Sequence, residues 1–125
     1  MRRNWWKVLC TVLIFYTLIG GLLFEGPHKK ILNETIRNIY FHVPMWFGMM
    51  VLFTTSIVYS IRYLRKPDLV LDIHAAAYAR TGMIFGILGL VTGAMWANYT
   101  WGKAWSNDIK QIGAAMALLI YGAYF

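Results

Sequence analysis

The chain has little of what a soluble enzyme or a secreted scaffold depends on. One cysteine, Cys10, stands alone among 125 residues, so neither an internal disulfide nor a cysteine metal site can form. Only five acidic side chains are present. No paired carboxylates, Ser/His/Asp arrangement or glycine-rich nucleotide loop accompanies them, which argues against an independent enzyme. Charged residues of both signs make up 14% of the chain and hydrophobic ones 59%, a balance typical of the membrane class. The formal charge of +7 has no concentrated basic face. It is better accounted for by topology and anionic membrane lipid than by nucleic acid.

Where charge is missing matters more than how much is missing. Residues 8–24, VLCTVLIFYTLIGGLLF, carry no charged side chain, and a helix of that length rises about 25 Å against a hydrocarbon core of roughly 30 Å. Uncharged runs recur at 43–61 and 81–97, and a fourth, 112–125, meets the last residue. That fourth run rises only about 21 Å. The expected fold is all-α: a polytopic integral membrane helical bundle with three complete spans and a truncated fourth, residues 1–125 forming the N-terminal part of a longer protein. A soluble domain of this size has too little interior to hide several wholly apolar helices. The basic start MRRNWWK resembles a signal peptide, but the apolar stretch behind it is long and lacks a small-x-small cleavage site, so it is read as a retained first helix.

Lys and Arg collect in cytoplasmic loops. With the N-terminus inside, seven basic residues (Arg2, Arg3, Lys7, Arg62, Arg65, Lys66, Arg80) fall inside and five (Lys29, Lys30, Arg37, Lys103, Lys110) outside. Segments 25–42 and 98–111 then face the exterior or periplasm, and 62–80 faces the cytoplasm. Small residues four apart, Gly82 with Gly86, Gly89 with Gly93 and Gly113 with Ala117, suit close helix approach in lipid. After a turn at Pro67, residues 69–80 read as a short interfacial helix leading into the third span, with His74 as an ordinary interface histidine.

The exterior side carries the unusual residues. His42 stands directly ahead of Val43 and Pro44 at the mouth of the second span. Proline is tolerated in a first helical turn, so Pro44 is expected to start that helix and fix where His42 points. A neutral imidazole at the hydrocarbon edge can ligate haem iron. The plainer reading is an interfacial histidine bonded to water or backbone. The next exterior segment holds Trp96, Tyr99, Trp101 and Trp105 within ten residues. If 101–108 is helical, Trp101, Trp105 and Asp108 share a face, which Gly102 weakens. Two indoles beside a carboxylate offer a flat surface for a planar macrocycle, with Asp108 orienting Trp or Lys side chains and Lys103 and Lys110 suited to pair with propionates. The plainer reading here is an aromatic belt at the headgroup level.

WGKAWSND at 101–108 resembles the tryptophan-rich signature of the haem-handling proteins of c-type cytochrome maturation, and FHVP at 41–44 resembles the histidine region of their haem exporter protein C branch. The resemblance covers essentially the whole chain. It departs from the family pattern at Asn107, where a tryptophan is usual, and at Lys110, where an arginine is usual. It implies haem bound and presented on the periplasmic side of the bacterial inner membrane, with His42 as one axial ligand and Trp96, Trp101, Gly102, Trp105, Asp108 and Lys110 forming the surface beside it. It also implies delivery to a periplasmic haem chaperone, alongside a small membrane subunit and the components of an ATP-driven transporter. The competing expectation is a helical subunit of an unrelated transporter, channel or respiratory complex whose aromatics only anchor it.

Overall fold

The computed structural model describes residues 4–23 and 37–125. Among these it has four α-helices and no strand: α1 Trp5–Leu23, α2 Ile39–Arg65, α3 Leu69–Trp101 and α4 Ile109–Tyr124. The first three are long and apolar enough to cross a membrane, and α4 is a shorter apolar helix. The architecture is the expected all-α membrane bundle. Most of the first expected exterior segment, with His28, Lys29 and Lys30, lies outside the described residues, as do Arg2, Arg3 and Phe24.

Two local expectations change. Pro44 does not open α2; the helix starts at Ile39 and contains the proline. Lacking an amide hydrogen, Pro44 leaves the Tyr40 carbonyl without its usual i+4 donor. Tertiary bonds hold the turn ahead of it instead: Asn38 Nδ2 donates to the Thr92 carbonyl at 2.8 Å, and the His42 ring meets Thr92 Oγ1 at 3.1 Å. The short interfacial helix and the third span are likewise one continuous helix, α3, of 33 residues and about 50 Å. No proline or other breaker separates them, and Ala75, Ala76, Ala77 and Ala79 are strong helix formers. Asp68 caps the start, accepting from the Val70 amide at 2.9 Å, which sets the turn after Pro67.

Lipid tails are as apolar as Leu, so helices in a membrane associate through close packing and interhelical hydrogen bonds. The α2–α3 pair shows both. A Cβ placed on Gly82 would lie 2.7 Å from the Phe53 ring, on Gly86 2.9 Å from Met49 Sδ, on Gly89 3.4 Å from Trp46 Cε2, and on Gly93 2.7 Å from His42 Cε1. Along α2 the four side chains step by four, three and four residues, and along α3 the four glycines step by the same intervals in reverse. The helices are therefore antiparallel, and four side chains of one fill four glycine notches of the other, the side-chain-into-notch packing of a heptad seam. Further along, where Ala75 and Ala79 are buried, Ser56 Oγ donates to the Ala75 carbonyl at 2.8 Å. Small residues thus run down one face of α3 well beyond the two glycine pairs.

α4 packs on this pair. Leu118 reaches Gly86, and the Tyr121 ring stacks on Phe53 with centroids 4.0 Å apart. α1 is attached lightly, through Gly21 beneath Phe41 and an Arg37 guanidinium bond to the Leu22 carbonyl; Cys10 is exposed. At the end of the bundle remote from His42, His74 stacks on Tyr59 with centroids 5.2 Å apart and bonds the Val70 carbonyl through Nδ1 at 2.6 Å.

The ladder gives a test by contrast. Gly82→Ala would press a methyl against a Phe53 ring already pinned by Tyr121, an overpacking cost of about 1–3 kcal/mol. Gly113 has nothing within 4 Å of its would-be Cβ, so Gly113→Ala gains helix propensity instead, about 0.8–1 kcal/mol. Thermal unfolding in detergent is expected to move down for the first and not down for the second.

Candidate functional site

A cavity of ≈ 570 Å³ opens where the His42 end of α2, the C-terminal end of α3 and the start of α4 converge. Its size falls within the range of small-molecule sites, roughly 300–1,000 Å³. His42, Trp96, Trp101, Asp108 and Lys110 line it, together with Trp46, Gly89, Gly93 and Gln111. Five residues singled out from the sequence therefore meet at one place, although more than fifty positions separate His42 from the rest. Gly102, Trp105 and Lys103 lie in the adjoining loop and are not among the lining residues.

That loop differs from the expected helix. α3 ends at Trp101, and Gly102 takes the left-handed conformation at φ 70 while its amide donates to the Asn98 carbonyl at 2.9 Å. Only glycine adopts this without a Cβ penalty, so it terminates the helix. Asn107 is left-handed as well, at φ 54, and Asp108 caps α4 by accepting from the Lys110 backbone amide at 2.7 Å. Trp101, Trp105 and Asp108 consequently share no helical face. The Trp105 indole donates to Asn107 Oδ1 at 3.0 Å, not to Asp108, and Asp108 engages the Lys110 backbone, not a lysine side chain. Gln111, which attracted no notice in the sequence, clasps the loop: its amide donates to the Ala104 carbonyl at 3.1 Å, and its oxygen accepts from the Ser106 amide and hydroxyl at 3.1 and 3.2 Å.

His42 is held on both sides. The Trp46 indole donates to His42 Nε2 at 3.0 Å, and since indole has a donor only, Nε2 must be the accepting nitrogen. Nδ1 then carries the hydrogen and donates to Thr92 Oγ1 at 3.1 Å. The Thr92 hydroxyl passes its own hydrogen to the carbonyls of Leu88 and Gly89, at 2.8 and 3.1 Å. Trp46 lies one turn beyond His42, a spacing readable from the sequence. Thr92 could be found only through the α2–α3 register.

The polar inventory is otherwise sparse. Among the described residues no group of three His, Cys, Asp or Glu side chains could hold a metal ion, and His42 is the only imidazole among the residues that line the cavity. The Trp96 indole nitrogen and the Thr100 hydroxyl are buried without a hydrogen-bond partner, a cost of about 1–3 kcal/mol each.

The model of the family described as cytochrome C assembly protein matches residues 4–125. Heme exporter protein C of Rhodobacter capsulatus is 31% identical over 122 residues, 95% of this chain and 49% of that protein. Cytochrome c biogenesis protein CcsA of Pelargonium hortorum is 33% identical over 119 residues, 94% of this chain and 37% of that protein. Heme exporter protein C of Paracoccus denitrificans is 28% identical over 115 residues, 92% of this chain and 46% of that protein. The chain thus spans about half the length, or less, of these relatives, and no solved structure matches it. With its apolar helices and a family-model match across almost its whole length, the chain is a multi-pass membrane protein that belongs to the cytochrome c assembly protein family.

Proposed function

We propose that the protein binds haem at the His42 end of the bundle and presents it for attachment to c-type cytochromes, and that haem is cargo to be handed on, not a resident catalyst. The observation that carries this reading is the shared cavity, where a histidine from α2 faces the aromatic and charged residues of the α3–α4 segment. His42 supplies one axial nitrogen to the iron. Trp96 and Trp101 offer apolar faces to the macrocycle, and Lys110 a cation for a propionate. Gly102 and Trp105 shape the loop that carries Trp101, and Asp108 fixes the start of α4, so these three act through position. Contacts of this kind, one ligand bond and a few aromatic faces, permit release, as a carrier requires.

On this reading the cavity faces the periplasm, the turn at Lys66–Asp68 faces the cytoplasm, and the membrane is the bacterial inner membrane. The recipient is a periplasmic haem chaperone, and the neighbours in the membrane are a small subunit and an ATP-driven transporter. The opposing view is that the tryptophans only anchor the helices. Phe preserves an anchor but loses indole area and the N–H. Trp101→Phe is therefore expected to weaken haem retention by about three- to tenfold, the worth of one aromatic contact. The measurement is the Soret absorbance per protein after extraction in detergent. Unchanged retention would return the tryptophans to a plain anchoring role.

A further inference from the structure

The cavity holds a device that the haem-carrier reading does not by itself require. The lone pair of His42 Nε2, the atom that would ligate iron, is already engaged: the Trp46 indole donates to it at 3.0 Å. The two rings meet edge to edge, with centroids 5.9 Å apart and planes at 78°. On the opposite edge of the imidazole Thr92 takes the Nδ1 hydrogen and relays to backbone carbonyls. We infer that Trp46 is a displaceable cap on the haem-ligating nitrogen and that Thr92 is the residue that sets its tautomer.

The argument is one of complementary bonding. A ligating imidazole must present an unprotonated nitrogen to iron, and a hydrogen bond at its other nitrogen fixes the ring and raises its basicity. Thr92 provides that bond, because its hydroxyl hydrogen is committed to the Leu88 and Gly89 carbonyls and its oxygen is left to accept. Thr92 thereby keeps Nε2 free of hydrogen, and Trp46 fills the lone pair with a donor that iron can replace. On haem entry one Fe–Nε2 bond forms and one N–H···N hydrogen bond breaks; the proton stays on the indole, and no redox change is needed. His42 and Trp46 line the cavity, Thr92 stands behind the imidazole, bonded to Nδ1, and the notch at Gly89 accommodates the indole, its would-be Cβ 3.4 Å from Trp46 Cε2. On release the indole returns and competes with iron for the same lone pair, which favours handing the cargo on. This inference rests on His42 being the haem ligand, so its test must separate the two.

Ferric haem is titrated into the detergent-solubilised protein as its cell makes it, in wild-type, Trp46→Phe, Thr92→Val and His42→Ala forms, and the Soret band is read. Trp46→Phe removes the competitor and is expected to tighten haem about three- to tenfold, the net worth of one hydrogen bond. Thr92→Val removes the tautomer-setting acceptor and is expected to weaken haem by about tenfold or more and to shift the band. A general loss of packing cannot produce these opposite signs. If His42→Ala abolishes binding while Trp46→Phe leaves it unchanged or weaker, the cap is overturned and the haem reading stands. If His42→Ala binds like wild type, both fall. Should Trp46→Phe fail to fold, nitrogen-15 NMR of the histidines in haem-free wild type decides the matter. His42 in the Nδ1–H form supports the cap, and His42 in the Nε2–H form overturns it.

Discussion

Replacing His42 by alanine is expected to reduce haem affinity by more than about 100-fold and to abolish production of c-type cytochromes, with the helical fold intact. Changing the outer partners of a metal ligand typically costs 10–100-fold, and removing the ligand itself should exceed that. The fold should survive because the imidazole occupies the last notch of the α2–α3 seam, against Gly93, while the packed centre lies farther down at Met49, Phe53 and Leu118. Both quantities can be read from one preparation, the Soret band reporting haem and circular dichroism reporting helix. A variant that keeps its haem would remove His42 from the site, and one that loses its helix would show the ring to be structural.

The second large effect leaves His42 in place and moves it. A Cβ on Gly93 would fall 2.7 Å from His42 Cε1 and 3.4 and 3.5 Å from its two nitrogens. Gly93→Ala must therefore push the ring outward, which breaks the registration of Nδ1 on Thr92 and of Nε2 with Trp46 together. The expected result is a 10–100-fold loss of haem affinity, about what a lost outer partner costs, with a modest fall in stability of about 1–3 kcal/mol. If the two changes act through one ring, the double variant with His42→Ala binds haem no more weakly than His42→Ala alone. Additive losses would mean that Gly93 serves something other than His42.

The spans were legible because charge is excluded from hydrocarbon, and three uncharged runs locate α1, α2 and the lipid-crossing part of α3. Their ends were less so. α2 begins three residues ahead of His42 and α3 twelve residues ahead of the apolar run at 81–97, since a helix continues into the headgroup layer where polar residues cost little. Pro44 misled because its usual place is a first turn, whereas here Asn38 and His42 tether the turn before it. The tryptophan-rich segment stood out as a candidate site through its resemblance to a family signature, composition alone fitting an aromatic belt as well, but its conformation depended on Gly102 and Asn107, whose left-handed backbones no apolar periodicity reveals. Trp46 and Thr92 drew no notice in the sequence: each is ordinary in its own helix, and although Trp46 bonds His42 within α2, the contact of Thr92 with His42 exists only once the helices are set against each other. The matching four-three-four spacings on α2 and α3 contain that alignment, and reading them together would have placed Thr92 near His42.

The clasp formed by Gln111 has a thermodynamic consequence. A loop that must be ordered on binding reduces affinity by about 0.5–1.5 kcal/mol for each immobilised side chain, beyond the backbone. Here Ala104, Ser106 and Gln111 are already tied together, and both left-handed residues are in place. Arrival and departure of a ligand then leave the loop's conformational entropy nearly untouched. The loop therefore adds little ordering cost to the affinity of a ligand bound there and no folding step to its rates in either direction.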